Sequence, residues 1–286
     1  MSNNDEFQEF AEMMSRTQNE QGIPDFEGYS PTEMHHILYN TFDPVSPIQL
    51  QKLSEVDYRE IPLLNQVQYL LRLIAYEGEL RLTKAGYLPR IVVTDLYSQG
   101  FMRDRFIEDG YQQLNKELDS VTINLTRLLP KVIGLIKKRN GKISLTKLGT
   151  KLYKDDDKLL RYLFTSFATK FNWGYFDYYS NEFIGQFGVG FSLILLKKYG
   201  TKKRLSKFYA DKYFQALPNL NYVPNDRYMH KDSNSSCYIL RTFERFLLYF
   251  GLIDFEEVYF DHSSKSYIKK TLLFDKFIQI IPHKTN

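Results

Sequence analysis

Nine residues of this chain occur twice in nearly the same wording. Residues 78–86 read GELRLTKAG, and 63 residues later residues 141–149 read GKISLTKLG. Both fit Gly, any, aliphatic, any, Leu-Thr-Lys, any, Gly. The first glycine permits a tight turn. Two alternating aliphatics face one side of a strand, and the threonine hydroxyl caps the helix or turn that follows. In the second copy the turn is Asn140-Gly141, a strong short-range hairpin signal. The pattern predicts a hairpin over 135–145 after a helix over about 121–133. Around the first copy it predicts a short strand at Leu80 and Leu82, then a helix from Pro89 to about Tyr97.

Helical spacing surrounds both copies. Leu63, Leu64, Val67, Leu70, Leu71 and Ile74 recur on one face from Pro62 to a stop near Glu77-Gly78. Ser30, Pro31 and Glu33 make a capping box with proline at the first helical position, so a helix through Met34, Ile37 and Leu38 is expected. Near the end of the chain a helix over 238–250 runs into Gly251-Leu252-Ile253, an echo of Gly134-Leu135-Ile136. Strands over 253–260 and 266–270 should follow, with Asp261, His262, Ser263 and Ser264 at the tip. Thr271 should cap a closing helix through Phe274, Phe277 and Ile278.

Between these parts lies an aromatic-rich helical stretch, 158–217, in which residues 162–191 hold twelve rings. Phe164, Phe167 and Phe171 keep helical spacing, which points to core packing rather than to a stacking surface for bases. The fold class expected is mainly α with short β-hairpins. Three segments are expected: an acidic amino-terminal piece over 1–29 that forms a mobile tail or a loosely held helix, a helical domain over 30–154 and a second over 155–286.

The stretch GLIKKRNGKISLTKLGTKLYK, residues 134–154, resembles the wing and closing helix of winged-helix domains. The resemblance implies two such units, packed through the aromatic-rich middle. Domains of this kind bind DNA, bind RNA or act as protein-contact modules, so it does not choose among those tasks. Pro130 departs from the pattern, since it would kink the helix that should enter a major groove. SPTEMHHILYNTF near residue 30, with LRLTKAGYLP downstream, resembles an uncharacterised family of bacterial proteins and implies a bacterial, cytosolic origin. IGQFGVGF, residues 184–191, is similar to the phosphate-wrapping lid of the GHKL chaperone ATPases, which would make Gly185, Gly188 and Gly190 phosphate-binding. The Glu-x-x-x-Asn helix and Asp-x-Gly-x-Gly loop of that class are absent from the sequence. The glycines are therefore expected to let aromatic-rich helices pack closely.

No catalytic, cofactor or metal residue is expected. His35 and His36 are helix neighbours whose side chains diverge, and His230, His262 and His283 stand apart. The sequence has no Walker lysine and no nucleophile elbow. The amino terminus lacks a basic start or apolar stretch, Cys237 is the lone cysteine, and the longest apolar run, 187–196, is half a membrane span. The expectation is a cytoplasmic, non-enzymatic binding protein without a membrane partner.

Charge suggests what it binds. Residues 1–30 carry seven acids against Arg16 alone, so the net charge of +4 conceals a basic remainder. Two clusters stand out. Lys137, Lys138, Arg139 and Lys142 fall on the predicted hairpin, while Lys197, Lys198, Lys202, Lys203, Arg204 and Lys207 surround Gly200. Exposed cations are what phosphate contacts need, so DNA or RNA is the first expected partner. The alternative is a protein-interaction scaffold in which the winged units bury their helices against one another or a partner.

Overall fold

The described residues are mainly helical, about 55% helix against 12% strand, and the strands form small sheets of two or three. In the computed structural model the described residues are 3–221, 233–260 and 263–283. They form two units, each drawn from separate stretches of chain. One takes residues 52–182 and 244–252, the other residues from 1–51, 183–243 and 253–286. The first has a short hairpin and the second a long one, and they are named accordingly. Residues 154 and 155 both lie in the short-hairpin unit.

In the short-hairpin unit the helix Pro62–Glu77 buries the six aliphatics its spacing marks and stops at Gly78, whose φ is 76°. Strand Leu80–Arg81, helix Arg90–Ser98 and helix Val121–Val132 follow. The hairpin strands are Ile136–Arg139 and Lys142–Leu145, and helix Lys147–Leu152 closes the set. Asn140 and Gly141 have φ of 50° and 71°, the paired positive values of a two-residue hairpin turn.

The two nonapeptides are neighbours in one sheet. Leu80–Arg81 runs antiparallel to Lys142–Leu145, which pairs in turn with Ile136–Arg139, and buried Leu80 lies opposite buried Ile143. The second glycine of the motif has its own task. Gly149 approaches the Leu135 carbonyl so closely that a Cβ there would stand 2.1 Å from the oxygen. Thr146 accepts the Gly149 amide at 3.0 Å and donates to the Gly134 carbonyl at 2.7 Å, fixing the closing helix to the hairpin.

The aromatic stretch contributes core to this unit. Phe164 lies 4.9 Å from both Phe246 and Phe250, Phe167 packs on Trp173, and the Trp173 indole donates to the Phe167 carbonyl at 2.7 Å. Phe164, Phe167 and Phe171 are all buried.

The long-hairpin unit repeats the same element order. Helix Val189–Tyr199 leads to strand Arg204–Leu205, helix Ser206–Ala216 and a helix that begins as Ser233–Tyr238 and becomes π-helical over Ile239–Leu247, of which the part from residue 244 belongs to the short-hairpin unit. Strands Ile253–Phe260 and Ser263–Lys270 form the hairpin, and Arg204–Leu205 pairs with the second of them. Thr271 caps Leu272–Phe277 as its position suggests. Ile278 belongs not to that helix but to strand Ile278–Ile280, which pairs with Ile48–Leu50. The second hairpin strand starts at Ser263, earlier than the expected 266. Asp261, His262 and His230 lie outside the described residues.

Helix Pro31–Tyr39 carries its reciprocal Ser30–Glu33 box. Amino-terminal to it are helix Asn3–Glu20 and a loop in which the Ile23 amide bonds the Tyr29 carbonyl at 3.0 Å. The glycines of IGQFGVGF have packing roles. A Cβ on Gly190 would come within 2.8 Å of the Ile37 carbonyl, Gly188 enters helix Val189–Tyr199 at φ 77°, and the Gly185 amide donates to the Tyr213 hydroxyl at 3.1 Å.

Candidate nucleic-acid interface

Strand Ile136–Arg139 buries Ile136 and exposes the rest. Its turn sets Lys142 opposite Arg139, and on the other side Lys142 lies opposite Arg81. Cross-strand partners share a face, so Arg81, Lys142 and Arg139 form a row across three strands. Lys142 is ion-paired with Glu79. The side chains of Arg81, Lys137, Lys138 and Arg139 have no hydrogen bond or ion pair among the described residues. Lys138 reaches over Gly86, where a Cβ would meet its ammonium at 2.5 Å.

The basic surface continues past the hairpin. Lys147 and Lys151, one helical turn apart, are exposed on the closing helix, and the Lys154 ammonium lies 5.3 Å over the Tyr153 ring. Residues 131–154 carry eight cations and no acid, twice the number the hairpin alone displays. Lys147 and Lys151 could have been found from their i, i+4 spacing in the sequence. Arg81 could not, because only strand pairing brings it into the row.

The helix that precedes the hairpin is buried along most of its length. Thr122 to Arg127, Leu129 and Pro130 are all buried in Val121–Val132, with Pro130 near its carboxyl end. Arg127 is bound inside: its guanidinium meets Glu117 at 2.7–2.8 Å, and the same carboxylate accepts the Leu88 amide at 2.7 Å. Burial pushes the Glu117 carboxyl above its ordinary value, while Leu88 and Arg127 pull it back.

The second predicted cluster, unopposed in sequence, is opposed in space. Lys197 is paired with Asp275 at 2.6 Å, Lys198 with Glu27 at 2.6 Å, Lys207 with Asp211 at 2.7 Å, and Lys203 with Glu256. Arg204 donates to the Tyr199 carbonyl at 3.2 Å and lies 4.9 Å over the Phe208 ring. Lys202 alone of the six has no such partner among the described residues. Burial raises the Asp275 carboxyl, but hydrogen bonds from Lys197 and Lys270 more than offset this and hold it below its ordinary value.

Residues 59–159 match the family model of the Y4jL N-terminal domain. That family is uncharacterised. The matched segment is about a third of the chain and contains the whole short hairpin with the basic surface just described. No curated protein and no solved structure matches the chain.

Elsewhere, a cleft of about 350 Å³ is lined in part by Glu20, Glu33 and His283. Its polar atoms are engaged, since Glu33 meets His283 Nδ1 at 2.6 Å and accepts the Ser30 amide at 2.8 Å. Among the described residues no three metal-ligating side chains come together, and no helix is long and apolar enough to cross a membrane.

Proposed function

We propose that the segment 59–159 contains a winged-helix unit that grips nucleic-acid phosphates, making the protein a non-enzymatic nucleic-acid-binding regulator or accessory factor. The observation that carries this reading is the row Arg81, Lys142, Arg139, with Lys137 on the same face of the hairpin and Lys138 on the other. Like charges directly opposite one another destabilise a sheet. Glu79 offsets the charge of Lys142 alone, and the side chains of the other four cations have no partner among the described residues, so an anionic ligand would relieve the remaining repulsion. The order helix, strand, helix, helix, hairpin, with the first strand beside the second hairpin strand, is in keeping with a winged unit. The single cysteine of the chain, Cys237, accords with a reducing bacterial cytoplasm.

The mode of binding follows from the buried helix. A helix must offer side chains to base edges to read a major groove, and Val121–Val132 has almost none to offer. The wing and the closing helix remain, and flexible cations on them position the duplex without specifying sequence. Binding to a fluorescent DNA duplex of about 20 base pairs should therefore weaken steeply with salt, at about 0.9 log units per phosphate neutralised. Replacing Arg81, Lys137, Lys138 and Arg139 by Gln should flatten that slope by about one unit for each contact made. Unchanged affinity and slope in the quadruple variant would sink the reading. The same buried helix favours a second one, a protein-interaction scaffold in which winged units serve as packing modules, and a partner retained after nuclease treatment would support it.

A further inference from the structure

Glu27 is an unusual residue for its place in the chain. Its φ is 59°, in the left-handed region that a side chain seldom adopts, and it precedes Gly28 at 97°. A glycine would sit there without strain, yet a carboxylate is present. That carboxylate is only 4% exposed. One oxygen accepts from the Lys198 ammonium and the Tyr199 hydroxyl, each at 2.6 Å, and the other from the Lys212 ammonium at 2.5 Å.

The cradle is built around one ring. Lys198, Arg204 and Lys212 stand 5.5, 5.6 and 5.0 Å from the centroid of Tyr199, and two of these cations, Lys198 and Lys212, hold the carboxylate. Lys198 is 50% and Lys212 26% exposed. Both lysine side chains are therefore partly exposed while the anion they hold is not. The anion arrives on a loop closed on itself: the Ile23 amide bonds the Tyr29 carbonyl, and the Gly28 amide the Ile23 carbonyl, each at 3.0 Å. A second acid of that loop, Asp25, accepts from Gln215 at 2.8 Å.

We propose that Lys198, Lys212 and the Tyr199 hydroxyl form a phosphate-binding cradle that Glu27 occupies as an internal surrogate, so that a nucleic-acid phosphate and the acidic loop 23–29 compete for one site. Two ammonium donors and a hydroxyl converging on two oxygens of one anion are the donor set a phosphodiester takes. Lys202, in the same short run of chain and with no hydrogen-bond or ion-pair partner for its side chain among the described residues, would extend the grip to a neighbouring phosphate. The inference rests on the protein binding nucleic acid, and it adds a second, covered site to the open one on the short hairpin.

The test uses the full chain and the same duplex. Glu27→Gly removes the carboxylate while suiting the backbone, and Glu27→Gln removes the charge at nearly constant shape. Thermal melts establish that both are folded. Freeing two lysines should steepen the salt slope by about 1.8 units. Raising salt from about 50 to 200 mM would then cost these variants about tenfold more affinity than it costs the parent. Adding Lys198→Gln and Lys212→Gln to Glu27→Gly should restore the parental slope. A parent that binds, with both Glu27 variants keeping its affinity and slope, overturns the cradle and leaves the hairpin reading standing. So does a gain that the lysine replacements fail to reverse. If neither parent nor variants bind, both fall.

Discussion

At the scale of single residues, the Glu117–Arg127 pair is a buried commitment, with side chains 0% and 7% exposed. Breaking a buried pair strands one charge in a place water cannot reach, which costs about 3–5 kcal/mol. Arg127→Met should lower the urea-unfolding free energy by that amount. Adding Glu117→Gln should recover part of the loss, because the stranded charge is gone. Glu27 gives a prediction in pH. Burial raises its carboxyl, but Lys198, Lys212 and Tyr199 outweigh burial and hold it below the ordinary 4.5. A depressed folded-state value stabilises the fold above the unfolded value and loses that contribution as pH falls through the folded one. The stability gap between the parent and Glu27→Gln should be constant from neutral pH to about 5 and close in more acid solution. Neither commitment was legible beforehand. The caps at Ser30, Thr146 and Thr271 were, because a cap is settled by three or four consecutive residues, whereas Glu27 finds its lysines 171 and 185 positions away.

At the scale of elements, legibility follows the same rule of distance. The short hairpin was readable because Asn140-Gly141 carries its own turn geometry, and helix Pro62–Glu77 because its apolar spacing is complete within itself. Strand Leu80–Arg81 was readable from the alternation of Leu80 and Leu82 with polar neighbours, whereas Arg204–Leu205 exists only through its pairing, and two residues contain no period to read. The same holds for Ile48–Leu50, whose partner lies some 230 residues on. Half of the candidate site was therefore visible in advance. The wing lysines could be named, but the row they make with Arg81 could not, nor could the acids that neutralise the second cluster. The nonapeptide's last glycine offers a test of why the motif is spelled as it is. With the Leu135 carbonyl 2.1 Å from where a methyl would be, Gly149→Ala must push the closing helix off the hairpin, at about 1–3 kcal/mol. Thr146→Ala should cost about 1 kcal/mol as a lost cap. If Gly149→Ala proves the milder of the two in urea unfolding, close approach is not what that glycine is for.

At the scale of the molecule, the interleaving of the chain decides what can be separated from it. The family match ends at residue 159, which invites the idea that a fragment around it stands alone. The short-hairpin unit argues otherwise, because residues 244–252 belong to it. Phe246 packs on Phe164, Phe167 and Trp173, Phe250 packs on Phe164 and Phe167, and the Tyr249 carbonyl accepts the Leu63 amide at 2.9 Å. Deleting one buried phenylalanine side chain costs about 3–5 kcal/mol, so losing two removes about 6–10. A domain of this size has about 5–15 kcal/mol in all. A fragment of residues 52–182 should therefore lack a cooperative thermal transition and fixed near-ultraviolet dichroism while keeping much of its helix, since Pro62–Glu77 and Asp156–Thr169 carry their own local signals. Restoring the missing piece should mend it: the same fragment with residues 244–252 joined through a flexible linker should melt cooperatively. A fragment 52–182 that already melts as one sharp transition would mean that the aromatic rings from the distant segment only cover a core complete without them.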